Sequence, residues 1–207
     1  MQFVKGMRDR IQKYFDETKV FTVEMEVLGN ATYDCCCFGV DDKGKLSDEK
    51  YMIFYNQTTS PNHEINYMES GHKSIFEIDL IRLPEKIAKL VFTVSIDGNE
   101  TMAEMERFCL KLKQNNIEYI SIQNTKTDFA KEKAIISTEI YQKNGWRIAA
   151  VSSGFNGGLS SLLTYFGGVE EKERAEMPPE KETKEHQKQN ASFKTSMPQE
   201  IKLPAGG

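Results

Sequence analysis

The chain has 207 residues, of which 39% are hydrophobic and 28% are charged, a composition typical of a soluble folded protein. Its formal net charge is −4, so nothing in the composition indicates nucleic acid as a partner. No apolar run approaches the roughly 20 residues that span a bilayer. The first residues also lack the apolar core and cleavage site of a secretory signal, so we expect a cytoplasmic protein with no transmembrane segment.

Residues 1–17 carry apolar side chains at three- and four-residue steps, with arginine and lysine between them. The apolar positions are Phe3, Val4, Met7, Ile11, Tyr14 and Phe15. This spacing predicts an amphipathic N-terminal helix over residues 1–17. We expect the helix to pack on the rest of the domain, because its apolar stripe is short and its basic face is modest. Docking onto another protein or a membrane surface is the alternative.

Short segments rich in β-branched and aromatic residues follow, separated by turns. The predicted strands cover residues 20–27, 33–40, 51–55, 74–80, 90–96, 118–123, 134–141 and 146–153. The segment 33–40 is almost wholly apolar, so we expect it to be buried on both faces. Many short strands spaced by turns predict an all-β fold, an antiparallel two-sheet β-sandwich.

Residues 103–112 show a different spacing. The apolar side chains of Met105, Phe108, Cys109 and Leu112 recur at helical intervals. This spacing is compatible with a helix, and a loop or a short helix that precedes a strand is the alternative.

The segment 143–168 organises the end of the domain. It starts with Asn144-Gly145, a dipeptide suited to a turn with positive φ. Trp146, the only tryptophan, opens a strand in which alternate side chains are apolar, and we expect its indole to fill an interior shared by both sheets. The apolar run 159–166 then predicts a short helix, stopped by the glycines at 167 and 168.

Residues 170–199 are rich in Glu, Lys and Gln and contain almost no apolar side chains. Such a segment cannot bury enough surface to order itself, so it predicts a charged linker in a disordered C-terminal tail.

A family resemblance rests on several motifs in order. The segment 146–159, W-R-I-A-A-V-S-S-G-F-N-G-G-L, resembles the closing strand of the TerD family of tellurium-resistance and general-stress proteins, with matches at Gly154, Phe155, Gly157, Gly158 and Leu159. Residues 34–41 are similar to the family's D-L-D-x-S-A-F-L-L-D strand from its second aspartate. Residues 51–56 resemble its F-V-F-Y-N strand, and 76–80 its I-x-V-D-L strand. The resemblance covers roughly residues 19–169 and implies a TerD-like domain over 18–169.

Residues 200–207 contain I-K-L-P-A-G-G, which resembles the I-x-L-x-x-G-G motif that opens TerD domains. We expect the N-terminus of this chain to lack that opening strand. The motif at 200–207 then either starts a second TerD-like domain or supplies a strand that folds back onto the first.

The resemblance also implies a metal, because the family binds calcium between its sheets through acidic loops. Calcium takes six to eight oxygen ligands. Here Thr32 replaces the first aspartate of D-L-D, and the family's acidic loop is reduced to residues 66–73. The carboxylates that remain as candidate ligands are Asp34 and Glu69, with Asp79 and Asp97 at strand ends. We therefore predict a degraded site, with calcium as a candidate cofactor.

The cysteines offer a second candidate site. Cys35, Cys36 and Cys37 are consecutive, and the fourth cysteine is Cys109. The run could be a thiol site for metals or tellurium oxyanions. We favour small buried apolar residues instead, because no lysine, arginine or histidine adjoins the run to lower a thiol pKa.

No catalytic motif emerges. Ser152-Ser153-Gly154 does not match G-x-S-x-G, and neither a Walker A motif nor a G-x-G-x-x-G after a strand occurs. We expect a non-enzymatic, TerD-like binding protein of stress response or tellurite resistance, with other TerD-family or stress-response proteins as partners. The alternative is a metal-independent scaffold of a larger stress-response complex.

Overall fold

Two six-stranded sheets make up the computed structural model, which describes residues 1–167. Within that range the elements are β1 (Gln2–Phe3), β2 (Arg8–Arg10), β3 (Phe21–Gly29), β4 (Tyr33–Val40), β5 (Met52–Ile53), β6 (Ile65–Ser70), β7 (Lys73–Ile78), β8 (Lys89–Ile96), β9 (Met105–Gln114), β10 (Ile117–Thr125), β11 (Ala134–Gln142), β12 (Trp146–Phe155) and α1 (Gly158–Tyr165). Sheet A has the order β1-β10-β9-β3-β7-β6, and sheet B has β2-β12-β11-β8-β4-β5. The predicted linker 170–199 and the motif at 200–207 lie outside the described residues.

The sheets share one hydrophobic core, which confirms the prediction of an all-β fold. Phe76 of sheet A meets Phe92 of sheet B edge to face, with ring centroids 5.6 Å apart. Trp146 is also part of this core and is only 8% exposed. All named strand pairs are antiparallel except β1 with β10.

The predicted N-terminal helix over residues 1–17 is wrong. β1 pairs with β10 in sheet A, β2 pairs with β12 in sheet B, and only Ile11–Lys13 form a short 3-10 turn. Phe3 and Ile11 are fully buried, whereas Val4 is 59% exposed. The segment crosses from the edge of sheet A to the edge of sheet B, so its side chains enter the core at irregular intervals. These intervals happen to resemble the three- and four-residue steps of a helix. These residues therefore close one side of the sandwich.

The predicted helix at 103–112 is also wrong, because these residues belong mainly to strand β9. β9 lies between β3 and β10, and Phe108, Leu110 and Leu112 are buried in the core. Lys111 and Lys113 alternate with them on the outer face. The two-residue period of a half-buried strand thus decides the structure here, and the helical spacing is coincidental. Strand β6 takes up most of the segment 66–73, where the resemblance placed a reduced acidic loop, and the strand predicted at 51–55 is limited to Met52–Ile53.

Helix α1 covers part of the outer face of sheet B, and its position confirms the helix predicted at 159–166. Its Leu162 and Leu163 are buried, and Phe166 just beyond it stacks on Phe38 of β4 with centroids 4.8 Å apart. Strand β4 is consequently buried on both faces, as its apolar sequence predicts. Within residues 1–167, no helix has the length and apolar character needed to cross a membrane.

Candidate functional site

An acidic cleft of about 410 Å³ opens at the end of sheet B where β12 runs into α1. Its lining includes Asp34, Ser95, Asp97, Lys133 and Gly158. Asp34 lies near the start of β4 and is the cross-strand partner of Ser95 on β8, and Asp97 follows β8 directly. Strand pairing therefore brings two carboxylates that are far apart in the sequence to one rim.

Asp34 is electrostatically strained at this rim. Burial is the largest factor that raises the pKa of its carboxyl group, and the nearby charges of Asp97 and Glu69 raise it further. The neighbouring cation, Lys133, donates its Nζ hydrogen bond to the carbonyl of Gly98 at 2.9 Å. The protein thus holds a carboxylate where its charged form is disfavoured.

The glycine signature forms the wall of the acidic cleft. Gly158 adopts φ +63°, a conformation that favours glycine, and starts α1. At Gly157 an added Cβ would collide with Ser161 Oγ. The paired glycines therefore serve the turn from β12 into α1.

The predicted ligand Glu69 lies elsewhere. It is exposed, accepts a hydrogen bond from the Tyr67 hydroxyl at 2.7 Å, and lines a second cleft of about 440 Å³ with Tyr33, Cys35 and His72. The negative charge of Glu69 contributes to the raised pKa of Asp34, but the two side chains line different clefts.

The remaining acidic candidates do not complete a metal site. Asp79 accepts hydrogen bonds from the backbone N–H groups of Ile81 and Arg82, so it stabilises a local turn. In the part of the chain that the structure describes, no three His, Cys, Asp or Glu side chains are grouped so that they could hold a metal ion. Two carboxylates in the acidic cleft fall well short of the ligand set that calcium prefers.

The cysteine run lies inside the protein. Cys35, Cys36, Cys37 and Cys109 are all buried free thiols. Burial raises the pKa of each, and that of Cys35 reaches about 12. Such thiols stay protonated at neutral pH and pack as small apolar side chains.

We expect these thiols to resist alkylation. Native protein treated with iodoacetamide at about pH 8 should remain unmodified at all four cysteines, while protein in roughly 6 M guanidinium should gain four adducts. Mass spectrometry of both samples checks this. Rapid modification of Cys35 or Cys36 in the native sample would show an accessible thiolate. It would support the alternative that the cysteine run is a thiol site for metals or tellurium oxyanions.

A buried carboxylate outside both clefts, that of Glu64, was not predicted from the sequence. Glu64 is 0% exposed and accepts hydrogen bonds from the Tyr51 hydroxyl (2.7 Å), the Ser60 hydroxyl, and the Asn62 backbone N–H (3.0 Å) and amide (3.2 Å). Burial raises its pKa, but these hydrogen bonds outweigh burial and lower the pKa to about 2. A single glutamate in a segment without a predicted strand gives no pattern that would reveal this role.

Comparisons with known proteins agree with this architecture. The chain is 34% identical over 117 residues to tellurium resistance protein TerA of Alcaligenes sp., a match that covers 56% of this chain and only 34% of that protein. It is 27% identical over 147 residues to general stress protein 16U of Bacillus subtilis (strain 168), covering 65% of this chain and 76% of the relative. The crystal structure of a TerD homologue from Streptomyces coelicolor A3(2) matches with a TM-score of 0.56 at 16% identity, over 74% of this chain and 99% of that one.

A family model, the TerD domain, matches residues 1–166. The match includes residues 1–17, which contribute the edge strand β1 to sheet A and the edge strand β2 to sheet B. Since the match spans most of the chain, the protein belongs to the TerD family.

Proposed function

We propose that the protein is a non-catalytic binding protein of TerD-type stress response, with a degraded calcium site and with TerD-family or stress-response proteins as partners. The names of its relatives, a tellurium resistance protein and a general stress protein, support stress response as the process. The observation that supports binding is the acidic cleft itself, where Asp97 lies beside the partly buried Asp34, whose pKa is raised. Two carboxylates are few for a tight calcium site, which supports the degraded-site part of the proposal.

The degraded site predicts a small response to calcium. Chelator-treated protein should change its melting temperature by less than about 1 °C on addition of ~1 mM calcium. A site with a Kd of ~10 μM would instead stabilise the fold by about 2.7 kcal/mol, a rise of roughly 5–11 °C for a domain of this size. Differential scanning calorimetry separates the two results.

Asp34→Asn sharpens the test. The folded-state pKa of Asp34 is raised, so its contribution to stability is lost as the pH rises through that pKa, and its ionised form destabilises the fold at neutral pH. We expect Asp34→Asn to raise the melting temperature by about 2 °C without calcium. Asp42→Asn, a change at an exposed turn, is the control and should leave it unchanged. A large calcium response that Asp34→Asn abolishes would overturn the proposal.

A further inference from the structure

A group of cations lies on the outer face of sheet B, at the opposite end of its strands from the acidic cleft. Cross-strand register places Lys89, Tyr141, Arg147 and Arg10 in one row across β8, β11, β12 and β2. The adjacent row on the same face runs Val91, Glu139, Ala149 and Arg8. Side chains two residues apart in a strand point to the same face, so both rows form one surface.

This surface contains a concavity of about 420 Å³, here called the basic cleft and lined by Lys5, Arg8, Lys89 and Lys143 together with Glu139, Tyr141 and Ala149. The small side chain of Ala149 leaves room at its floor. The loop that carries Lys5 is held over β12 by two backbone hydrogen bonds with Ala150, one from the Gly6 N–H (2.8 Å) and one to the Met7 carbonyl (2.9 Å). The rim is therefore positioned by the fold.

The charge of the basic cleft is largely uncompensated. Glu139 is its one acidic lining residue and is paired with Lys89 at 3.1 Å. Among residues 1–167, neither the lining cations Arg8 and Lys143 nor Arg10 and Arg147 in the adjacent row form an ion pair with a carboxylate. Arg10 and Arg147 even face each other directly across two strands, an arrangement of like charges that destabilises a sheet.

On sheet A, by contrast, the cations of the outer face form ion pairs with carboxylates. On its outer face Lys73 and Lys113 both pair with Glu24, at 2.9 and 2.7 Å. In the same way Arg107 pairs with Glu26 at 3.1 Å, and Lys111 pairs with Glu118 at 2.8 Å. A concentrated positive surface on an otherwise acidic protein is the electrostatic footprint of an anionic ligand.

We propose that the basic cleft binds a small phosphate-bearing molecule. Arginine guanidinium groups bind phosphate oxygens in a bidentate manner, and lysine adds point charges. The apolar floor formed by Ala149 and Val151, beside the Tyr141 ring, accommodates the organic part of the ligand. The volume lies within the roughly 300–1,000 Å³ of small-molecule sites, and its concave shape favours such a ligand over a membrane plane.

Isothermal titration of the full chain with inorganic pyrophosphate and with fructose 1,6-bisphosphate tests the proposal at low salt. We expect both probes to bind, and Arg8→Gln with Lys143→Gln to weaken binding about tenfold or more. Both residues are exposed, and circular dichroism melting verifies that the double variant is folded. Arg107→Gln, on the outer face of sheet A, is the matched control and should bind like the unaltered protein.

Three results would overturn the proposal. The first is that neither probe binds. The second is that Arg107→Gln weakens probe binding as much as the double variant does, which would indicate non-specific attraction. The third is that the protein binds neither soluble probe but sediments with phosphatidylglycerol-containing vesicles and not with phosphatidylcholine vesicles. The surface would then bind a membrane. None of these depends on calcium, so failure here is distinguishable from failure of the degraded-site proposal.

Discussion

Glu64→Ala is expected to lower the free energy of unfolding by about 3–4 kcal/mol. The substitution leaves the buried hydroxyls of Tyr51 and Ser60, and the N–H of the exposed Asn62, without their acceptor. Each unsatisfied buried group costs about 1–3 kcal/mol. Urea unfolding at pH 7 measures the loss. The control is Glu85→Ala, an exposed position, which should change stability by less than about 0.5 kcal/mol. Equal effects of both substitutions would contradict the role assigned to Glu64.

The same carboxylate should make stability depend on pH. The pKa of Glu64 falls from 4.5 to about 2 on folding, so its contribution is present above pH 4.5 and is lost as the pH falls towards 2. That shift corresponds to at most about 3 kcal/mol. Glu64→Gln cannot titrate, so its stability should fall less than that of the unaltered protein between pH 5 and about 2.5. Parallel pH profiles for the two proteins would exclude this explanation.

Phe3→Ala should be similarly damaging, with an expected loss of about 3–5 kcal/mol in the free energy of unfolding. Phe3 is 1% exposed, lies against Tyr14 with ring centroids 5.8 Å apart, and belongs to the β1 strand that pairs with β10. The adjacent Val4→Ala is the matched control, because Val4 is 59% exposed, and it should cost no more than about 0.5 kcal/mol. Denaturant unfolding of both variants tests the strand arrangement of the N-terminus.

An amphipathic helix would give a different pair of results. In the helical interpretation both side chains belong to the same apolar stripe, so both substitutions would be costly. A loss of comparable size at Val4 would therefore contradict the observed pairing of β1, even if Phe3 proved important.

Much of the candidate site is unpredictable from sequence because it depends on register. The resemblance pointed to Asp34 and Glu69 as a pair, yet they line different clefts. Asp34 instead shares its cleft with Asp97, which the sequence placed at a strand end without a direction. Strand pairing across sixty residues of chain decides which carboxylates meet, and no local pattern records that choice.

Glu64 and the basic cleft are likewise unpredictable from sequence, because both depend on contacts between separate segments. A buried carboxylate is identified by its donors, and those of Glu64 include Tyr51, which lies on a separate segment. The cations of the basic cleft come from β2 and the loop before it, from β8 and from the β11–β12 hairpin, so their charges add only after the sheet forms. Net charge alone, at −4, points away from an anionic ligand.

The sequence by itself determined the β-rich class, most of the strands, the burial of β4 on both faces, the short helix α1 and the TerD resemblance. These features rest on local periodicity and on turn residues, which act over a few positions. Only the tertiary structure decided that residues 1–17 form edge strands and that β9 is a strand. It also decided which charges share a surface, because each outcome depends on contacts with segments distant in the chain, whose packing overrides local spacing.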